Sequence, residues 1–314
     1  MTTFVLGAFT RLTVWALLLA HSVGLPAQVN ETLIVASYNV DNYRVVPSER
    51  RRAKAVAARE AVLQQILGAR ADILALQELG SARALESLRR SLVQNGLEYP
   101  HFAVLEVEGG EIHTGVLSRF PITENRSEPL AQFVLYGRAY SVLRGLLEVD
   151  IEVSRNYRLT LMNLHLKSQL PVWFADQADF RLAEAEWVRQ RIDRLMNRLP
   201  DVNLVLVGDL NDHPKSAPLR TLAGRGRGRM WDCRPVAAII AAGHSSPLSE
   251  VGPGIAWTHY YEREDSYFRY DYILTSGGLR REWVPNGSEI IRRADWHRAS
   301  DHRLILARFF PLDK

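Results

Sequence analysis

The sequence contains a single cysteine among its 314 residues, Cys233. One cysteine cannot form an intrachain disulfide, and it excludes metal sites and redox pairs that are built from several cysteines. The thiol lies close to Trp231 in the sequence, and we predict that it packs as a small apolar group rather than acting as a nucleophile. The stability of the fold must therefore come from packing and not from covalent cross-links.

Hydrophobic runs of membrane-spanning length are also missing. The apolar run from Leu12 to Ala20 follows Arg11 and is shorter than the roughly 20 apolar residues that a membrane span needs. This arrangement is typical of an export signal, so we predict a signal peptide over residues 1–27, with cleavage after Gly24 or Ala27. The protein is then periplasmic or secreted. An uncleaved N-terminal membrane anchor is the alternative interpretation.

Neither sign of charge dominates the composition. Lysine and arginine number 39 against 35 aspartates and glutamates, which gives a formal net charge of +4 and a pI near 9.3. This mild basicity is compatible with a polyanionic substrate without requiring one. With 47% hydrophobic residues the chain can form a sizeable core. Internal repeats, low-complexity tracts and long linkers are absent from the sequence, which favours a single domain.

Strand and helix patterns alternate along the chain after its N-terminal segment. The predicted strands cover residues 32–39, 72–77, 102–107, 115–118, 143–153, 158–166, 203–207, 267–274 and 304–310, and the predicted helices cover residues 49–70, 82–94 and 176–199. Residues 211–255 are predicted to be rich in loops. A mixture of hairpins and helix crossovers predicts an α/β fold in which two packed sheets lie between outer helices.

The most informative feature is a set of polar residues placed at strand ends. Ser300-Asp301-His302 immediately precedes the closing apolar run 304–307, and a carboxylate beside an imidazole can bind a metal or hold a phosphate. Short Asp-His pairs also arise by chance, so the tripeptide is informative only together with other polar residues at strand ends. The other polar residues at the ends of apolar strand patterns are Asn39, Glu78, His165, Asp209, Asn211 and Asp271. Strand ends converge on one rim of a sheet, where ligands bind.

In this order the residues resemble the motifs of the endonuclease/exonuclease/phosphatase superfamily. Its members include pancreatic-type deoxyribonuclease, apurinic/apyrimidinic endonucleases, inositol polyphosphate phosphatases and bacterial sphingomyelinases. Any single motif is weakly specific, but the series runs from about Leu33 to Phe310 and keeps the family order. The resemblance implies a four-layer α/β sandwich over residues 28–314, with two mixed sheets flanked by helices. It also implies metal-dependent hydrolysis of a phosphodiester.

Glu78 is the best candidate for a metal ligand. A charged residue that ends the apolar strand pattern 73–76 needs a reason to be there, and hard cations such as Mg²⁺ prefer carboxylate oxygens. The resemblance implies that Glu78 binds the metal, that Asn39 supports Glu78 and that Asp301 belongs to the metal site. It also implies Mg²⁺ or Mn²⁺ as the cofactor. A solvated strand end is the alternative for Glu78. For Asp41, a role in binding a second metal ion and a role in a turn are equal alternatives.

Two histidines are expected to flank the scissile phosphate. His165 and His302 would donate hydrogen bonds to nonbridging oxygens, where negative charge grows in the transition state. A histidine on an apolar strand is more often a satisfied core residue, but two in matching motifs favour a catalytic role. The resemblance implies that Asp271 orients His302, since an adjacent carboxylate fixes the imidazole tautomer. For His165, Glu111 is the expected partner.

Asp209 and Asn211 follow an apolar strand through Gly208, which lets the backbone turn so that both side chains face the rim. The resemblance implies that this pair positions the attacking water and the phosphate. An Asx-type turn is the alternative reading of the pair. Arg144 stands where relatives carry a phosphate-binding arginine, although a surface arginine would fit the sequence nearly as well.

The substrate is expected to be nucleic acid, cleaved by a monomer without an obligate protein partner. The aromatic segment 257–272 could stack bases, pack as core or meet a lipid surface. The arginines of 50–52 and 225–229 could contact phosphates, or simply be solvated. Lipid or inositol-phosphate hydrolysis is the alternative, but the sequence shows no obvious membrane-inserting apolar hairpin. A non-catalytic binding relative would have lost a ligand, and every expected position is filled.

Overall fold

The computed structural model describes residues 32–237 and 255–312. Two six-stranded mixed sheets pack face to face, and helices cover their outer surfaces, so the predicted four-layer α/β sandwich is confirmed. The strands are β1 (Leu33–Tyr43), β2 (Ile73–Leu79), β3 (His101–Leu105), β4 (His113–Ser118), β5 (Ile122–Asn125), β6 (Gln132–Leu135), β7 (Arg138–Ser141), β8 (Leu147–Ser154), β9 (Tyr157–His165), β10 (Leu204–Asp209), β11 (Trp231–Asp232), β12 (His259–Tyr261), β13 (Ser266–Phe268), β14 (Asp271–Thr275), β15 (Trp283–Ile290) and β16 (Ile305–Phe309). The helices are α1 (Val56–Ala69), α2 (Ala82–Gln94), α3 (Gln177–Arg198), α4 (Ala217–Ala223), α5 (Gly277–Arg280) and α6 (Trp296–Ala299).

The strands β1, β2, β9 and β10 are interior strands of their sheets, with a neighbouring strand on each side. The first sheet has the order β15-β16-β1-β2-β4-β3, and the second has the order β11-β14-β10-β9-β8-β5. β1 pairs with β2, and β9 with β10, in parallel, which requires a crossover connection that α1 and α3 supply. The ribbons β6–β7 and β12–β13 lie outside both sheets.

Three apolar clusters hold the layers together. One fills the space between the sheets, one lies between the first sheet and its helices, and one lies between the second sheet and α3 and α4. Consecutive strand residues face opposite sides, so Val35 packs between the sheets while Ala36 packs toward the helices. Cys233 is buried in the central cluster, as predicted for an apolar role.

Helix α2 has the predicted bounds because its local signals agree with its packing. Ser81 caps the N-terminus by accepting a hydrogen bond from the Ala84 amide at 3.3 Å, which satisfies one of the free amides of the first turn. Leu85, Leu88 and Leu92 recur at helical spacing and are fully buried. Full burial of such a side chain contributes roughly 1.5–3 kcal/mol.

The predicted helix over residues 49–70 is wrong in its first part, since α1 begins only at Val56. Ser48 forms a turn instead. Its amide donates to the Arg51 carbonyl at 2.9 Å, and its hydroxyl accepts from the amides of Arg50 and Arg51. The segment 44–55 is therefore an irregular loop, and Val56, the first residue of α1, is 73% exposed.

The predicted strand over residues 267–274 is two separate strands, β13 and β14. Thr258 Oγ1 accepts hydrogen bonds from the amides of Tyr270 and Asp271, both at 3.1 Å. These bonds turn the chain from the ribbon into the second sheet. The loop-rich prediction for 211–255 missed α4, whose N-terminus is capped by Ser216, and residues 238–254 of that range lie outside the described residues.

The predicted signal peptide, residues 1–27, lies outside the described residues. Among the residues that the structure does describe, no helix combines the length and the apolar character needed to cross a membrane.

Candidate active site

Three of the predicted residues form one row across the second sheet. The parallel register of β9 and β10 sets Asp209 opposite His165. The antiparallel register of β10 and β14 sets Asp209 opposite Asp271. The row therefore results from backbone pairing, and each side chain enters the site from a rigid strand.

The first sheet adds Asn39 and Glu78 from the neighbouring strands β1 and β2. Asn39 Nδ2 donates to Glu78 Oε1 at 3.3 Å and to Asp209 Oδ2 at 3.0 Å. The buried amide thus joins the two sheets at the rim. Ser300 Oγ donates to the Asn39 carbonyl at 2.8 Å, which brings the 300–302 tripeptide to the same place.

Glu78 occupies an unusual backbone conformation. Its φ is 65°, a left-handed value that side chains with a Cβ rarely adopt. The pairing of β2 with β4 shifts register at this point, between Leu76 and Leu79, and such irregularities redirect side chains. The Glu78 carboxylate accepts from the Asn42 amide at 3.0 Å and remains 21% exposed. It is held on one side and open to solvent on the other.

Asp209 is the centre of the cluster. Its Oδ2 lies 3.5 Å from His165 Nε2 and 3.6 Å from His302 Nε2. Burial disfavours the charged carboxylate and, with the nearby Asp271, raises the pKa of Asp209 to about 6, although His302 opposes the shift. A carboxylate of this pKa is ionised at neutral pH and can accept a proton.

His302 is paired with Asp271. The distance from Nδ1 to Asp271 Oδ2 is 2.8 Å, and both side chains are buried. Burial favours the neutral ring, but the charges of Asp271 and Asp209 outweigh it and raise the pKa of His302 well above its usual value. His302 is thus a cationic donor whose Nε2 points toward Asp209.

His165 has the opposite electrostatic character. Burial, together with the nearby Arg144 and His302, lowers its pKa well below the usual value, so the ring is neutral. The expectation that Glu111 orients it is wrong. Glu111 accepts from Arg44 at 2.9 Å and from Ser48 at 2.6 Å, and His165 Nδ1 has no hydrogen-bond partner within the described residues.

Asn211 and Arg144 both contact the chain just after His165. Asn211 Nδ2 donates to the Leu166 carbonyl at 3.1 Å, and its amide donates to Asp209 Oδ1 at 2.9 Å. Arg144 Nη1 donates to the same carbonyl at 2.9 Å. The structure therefore brings both predicted substrate-binding residues to the rim, beside the neutral histidine.

Asp301 lies on the far side of His302. Its side chain is half exposed, and its Oδ2 lies 3.5 Å from His259 Nε2. Partial desolvation of the carboxylate opposes ionisation, but the interactions with His259 and His302 lower the pKa of Asp301 to about 2. Within the described residues its side chain makes no hydrogen bond to Glu78 or Asn39, so the predicted metal residues occupy two neighbouring positions.

A model of the Endonuclease/Exonuclease/phosphatase family matches residues 36–302. The chain belongs to this family. Its members are typically metal-dependent phosphoric ester hydrolases. The matched region contains the whole cluster described above.

Solved structures of low sequence identity share the fold. The human Nocturnin catalytic domain with bound sulfate is 16% identical with a TM-score of 0.62, and the match covers 90% of this chain and 95% of that chain. Truncated TDP2 from Caenorhabditis elegans is 19% identical (TM-score 0.60; 89% and 97% covered). Sphingomyelinase C from Streptomyces griseocarneus is 18% identical (TM-score 0.61; 89% and 100% covered). A comparison by sequence with curated proteins found no match.

The donor set of this family member fits a hard divalent cation. Potential ligand atoms form two groups, Asp209 with Asp271 and His302, and His259 with Asp301 and His302, and the atoms within each group lie within 4.8 Å of one another. Glu78 adds a partly exposed carboxylate that forms no ion pair with a lysine or an arginine of the described residues. The carboxylate oxygens among these groups suit Mg²⁺ and Mn²⁺, whereas the protonated His302 ring would not coordinate a cation.

Two residues near the site were not identified from the sequence. The His259 ring lies 4.5 Å from the His302 ring, and an imidazole inside the aromatic segment 257–272 was the available signal. Lys167 is buried two residues after His165, and burial with nearby Arg144 lowers the pKa of Lys167 to about 8. Its Nζ donates to the Ser168 carbonyl at 2.7 Å, so it supports the loop after β9.

Proposed function

We propose that this protein is an exported, divalent-metal-dependent phosphodiesterase that cleaves nucleic acid. The proposal of hydrolytic activity rests on two imidazoles, one neutral and one protonated, that converge on one buried carboxylate. His302 is cationic, His165 is neutral, and both point Nε2 toward Asp209. Few structural roles need such an arrangement, whereas phosphoryl chemistry uses all three groups.

Each group has a distinct role in the proposed reaction. Asp209, with Asn211, orients the attacking water and accepts its proton. His165 and His302 donate hydrogen bonds to the nonbridging oxygens of the phosphate, and Asp271 keeps His302 charged. A Mg²⁺ or Mn²⁺ ion held by Glu78, with Asn39 and Asp301 in support, would stabilise the charge on the phosphate and the leaving group. Arg144 would bind the phosphate beside His165.

The aromatic ribbon beside the site favours a nucleic-acid substrate. Tyr260 and Tyr267 stack at 4.8 Å, and Trp257 lies 4.8 Å from Tyr267, which is 52% exposed. The ribbon is attached to the catalytic segment by a backbone bridge between His259 and His302. Partly exposed aromatic rings next to a phosphate site can stack bases without sequence preference.

A second candidate is the hydrolysis of a phosphodiester at a lipid surface. The sequence showed no apolar hairpin, but the structure has an exposed one in β6–β7, beside the 170–174 loop. Val134 is 72% exposed, Tyr136 is 61% exposed and Trp173 is 93% exposed. Gln169 joins this surface to the site by donating to the Asn211 carbonyl at 3.2 Å. Exposed tryptophan and tyrosine on an apolar surface are typical of membrane interfaces.

One experiment separates the two substrates. Turnover of plasmid DNA, RNA, sphingomyelin vesicles and inositol phosphates is measured with Mg²⁺, Mn²⁺ or EDTA. We expect cleavage of DNA or RNA that EDTA and Glu78→Gln abolish. Tyr267→Ala should raise the KM for an oligonucleotide about tenfold through lost stacking, while Trp173→Ala should not. Vesicle cleavage that needs Trp173, without nucleic-acid turnover, would overturn the nuclease assignment, and activity in EDTA would overturn the metal requirement.

Export and a monomeric state are part of the proposal. The apolar run 12–20 is too short to span a membrane, so mass spectrometry of the exported fraction should find an N-terminus after Gly24 or Ala27. An intact Met1 in the membrane fraction would instead support the anchor. Light scattering should give the mass of one chain.

A further inference from the structure

A large cavity lies outside the active site, on the helix-covered face of the second sheet. Its volume is about 1060 Å³, and its floor is apolar, with Leu219, Met230, Tyr272 and Leu274. Within β14, Tyr272 and Leu274 face this side, whereas Ile273 faces the centre of the sandwich, as alternation in a strand requires. The cavity and the active site are therefore on different faces of the same strand.

The charged lining of this cavity is strongly one-sided. Five arginines stand against two carboxylates: Arg220, Arg225, Arg229, Arg234 and Arg280 against Glu186 and Asp232. Asp232 is already paired with Arg269, at 2.6 Å. The whole chain has a formal net charge of only +4, so this surface, here called the arginine groove, concentrates positive charge.

Most of the groove arginines lack an acidic partner. Within the described residues, no ion pair is formed by Arg225, Arg229, Arg234 or Arg280, in contrast to Arg269 at the groove's edge. Guanidinium groups at protein surfaces commonly pair with carboxylates or interact only with water. Four unpaired groups that line one concave surface provide a site for an anionic ligand.

Two of these arginines lie against the Trp231 ring, which also lines the groove. The Arg229 and Arg280 guanidinium carbons lie 5.6 Å and 5.4 Å from the Trp231 ring. A guanidinium that stacks on an indole keeps its N–H edges free for oxygen acceptors. The ring also reduces the side-chain entropy that both arginines would lose on binding phosphate. Trp231 therefore acts as a platform that presents two cations.

The position of the groove connects it with the catalytic rim. Tyr272 OH donates to the Asp212 carbonyl at 2.8 Å, and Asp212 directly follows Asn211 of the active site. Pro214, two residues further, lines the groove. The segment 211–214 thus connects the site of hydrolysis to the groove within four residues of chain.

We infer that the arginine groove binds a nucleic-acid strand beyond the bond that is cleaved; this inference rests on the proposed function. The groove volume of about 1060 Å³ is at the upper limit of the 300–1,000 Å³ typical of small-molecule sites, and five arginines line it. Several guanidiniums beside the partly exposed Trp231 ring suit the repeating phosphates and bases of a strand. The substrate would thereby be held at two places.

Binding is tested in the inactive Glu78→Gln background with a fluorescein-labelled single-stranded oligonucleotide of 30 nucleotides, by fluorescence anisotropy. Arg225→Glu is compared with Arg227→Glu, which is also exposed and lies two residues further along the chain but does not line the groove. We expect Arg225→Glu to weaken binding about tenfold or more, through loss of a charge-assisted contact and added repulsion. Arg227→Glu should change it less than about twofold.

A second variant tests the platform. In Arg229→Gln/Arg280→Gln the slope of log affinity against log salt should fall by about 1.4, since each single-strand phosphate contact contributes about 0.7. The matched control is Arg155→Gln/Arg198→Gln, which removes the same charge from two exposed arginines that do not line the groove. In the active background the groove variant should hydrolyse bis(4-nitrophenyl) phosphate at an unchanged rate, because that substrate is too small to reach the groove. Circular dichroism checks that each variant is folded.

The outcomes separate this inference from the proposed function. Equal losses of oligonucleotide affinity in the Arg225 and Arg227 variants would overturn the inference that the groove binds the strand. General electrostatic attraction would then explain the binding. Groove-dependent binding of phosphatidylserine vesicles, without binding of the oligonucleotide, would also overturn it in favour of an anionic lipid. Oligonucleotide binding through the groove, with no nucleic acid cleaved by the active enzyme, would contradict the proposed function alone. Nucleic-acid cleavage by the active enzyme, together with an unchanged oligonucleotide affinity in Arg225→Glu, would contradict only the inference about the groove.

Discussion

At the scale of single residues, the site is built on backbone strain. Glu78 has a φ of 65°, and a left-handed conformation costs a residue with a Cβ about 1–2 kcal/mol. Glycine does not meet this penalty. Natural sequences retain such strain where it aims a functional side chain. In Glu78 it aims the carboxylate toward Asn39 and His165.

This strain predicts an order of stability among Glu78 variants. Glu78→Ala and Glu78→Gly both lose the carboxylate and both should be inactive. Glu78→Gly should nevertheless be about 1 kcal/mol more stable than Glu78→Ala, because only glycine relieves the backbone. Urea denaturation with a common m-value measures the difference. A glycine variant that is less stable than the alanine variant would show that Glu78 is not strained.

The protonation of Asp209 predicts opposite responses of activity and stability to pH. Its pKa is raised to about 6, so below pH 6 the carboxylate is protonated and kcat/KM should fall about tenfold per pH unit. The folded protein binds this proton more tightly than the unfolded chain, whose aspartates have a pKa of about 3.9. The contribution of Asp209 to the free energy of unfolding is therefore fully present below pH 4 and is lost as pH rises through 6.

Two measurements check this. One is the pH profile of kcat/KM at saturating Mg²⁺, and the other is the free energy of unfolding between pH 4 and 7 in EDTA, each compared with Asp209→Asn. The pKa of His302 is raised well above this window, so its ring stays charged and should not produce the acid limb. If Asp209→Asn keeps the same stability slope as the natural protein, the slope belongs to another group.

At the scale of elements, the approach of β9 and β10 sets the position of the catalytic row. Gly208 has a φ of 137°, and a Cβ at this position would overlap the Leu164 carbonyl of the neighbouring strand. Gly208→Ala should push the strands apart where Asp209 faces His165. We expect a loss of at least about 2 kcal/mol of stability and a fall in kcat of orders of magnitude, measured by thermal unfolding and by turnover.

Gly137 provides the matched control, because it also has a positive φ but has open space around its Cβ position. Gly137→Ala should cost about 1 kcal/mol or less and leave kcat unchanged. Equal effects of the two variants would mean that the close approach of β9 and β10 is unimportant.

Elements were predictable from the sequence where local signals and packing agree. Helix α2 has a capping serine and a clean apolar face, and its predicted bounds are those observed. The first part of the 49–70 helix failed because Ser48 offers the amides of Arg50 and Arg51 a closer partner than a helical turn. Strand β15 was missed because Pro285 and Gly287 resemble a turn, while in the fold they lie at a register shift.

The candidate site was likewise predictable only in part. The sequence places its polar residues at strand ends, and the fold confirms that these ends meet at one rim. Individual partnerships could not be predicted, because they depend on which loops approach the rim. Asn39 contacts Asp209 across 170 residues of sequence, and Glu111 turns to Arg44 because the irregular 44–55 loop brings that guanidinium to it.

At the scale of the whole molecule, the candidate site joins the two sheets. Asn39 and Glu78 come from the first sheet, whereas His165, Asp209 and Asp271 come from the second, and the Asn39 amide is the direct link between them. Three carboxylates, Glu78, Asp209 and Asp271, thus gather at a seam where the sheets meet through polar as well as apolar contacts, including the hydrogen bond from Gln77 Nε2 to Asn163 Oδ1 at 2.7 Å. A cation at this seam would offset their repulsion and hold the sheets together.

Metal binding should therefore stabilise the entire fold as well as permit activity. A ligand present at 100 times its Kd adds about 2.7 kcal/mol to the free energy of unfolding, and for a domain of this size each kcal/mol raises Tm by about 2–4 °C. Saturating Mg²⁺ or Mn²⁺ should accordingly raise Tm by roughly 5–10 °C over EDTA in a calorimetric scan. Glu78→Gln should remove most of this shift, while Glu111→Gln, which alters a carboxylate outside the cluster, should keep it. An equal shift in all three proteins would place the cation away from this seam, because the stabilisation would then not depend on Glu78.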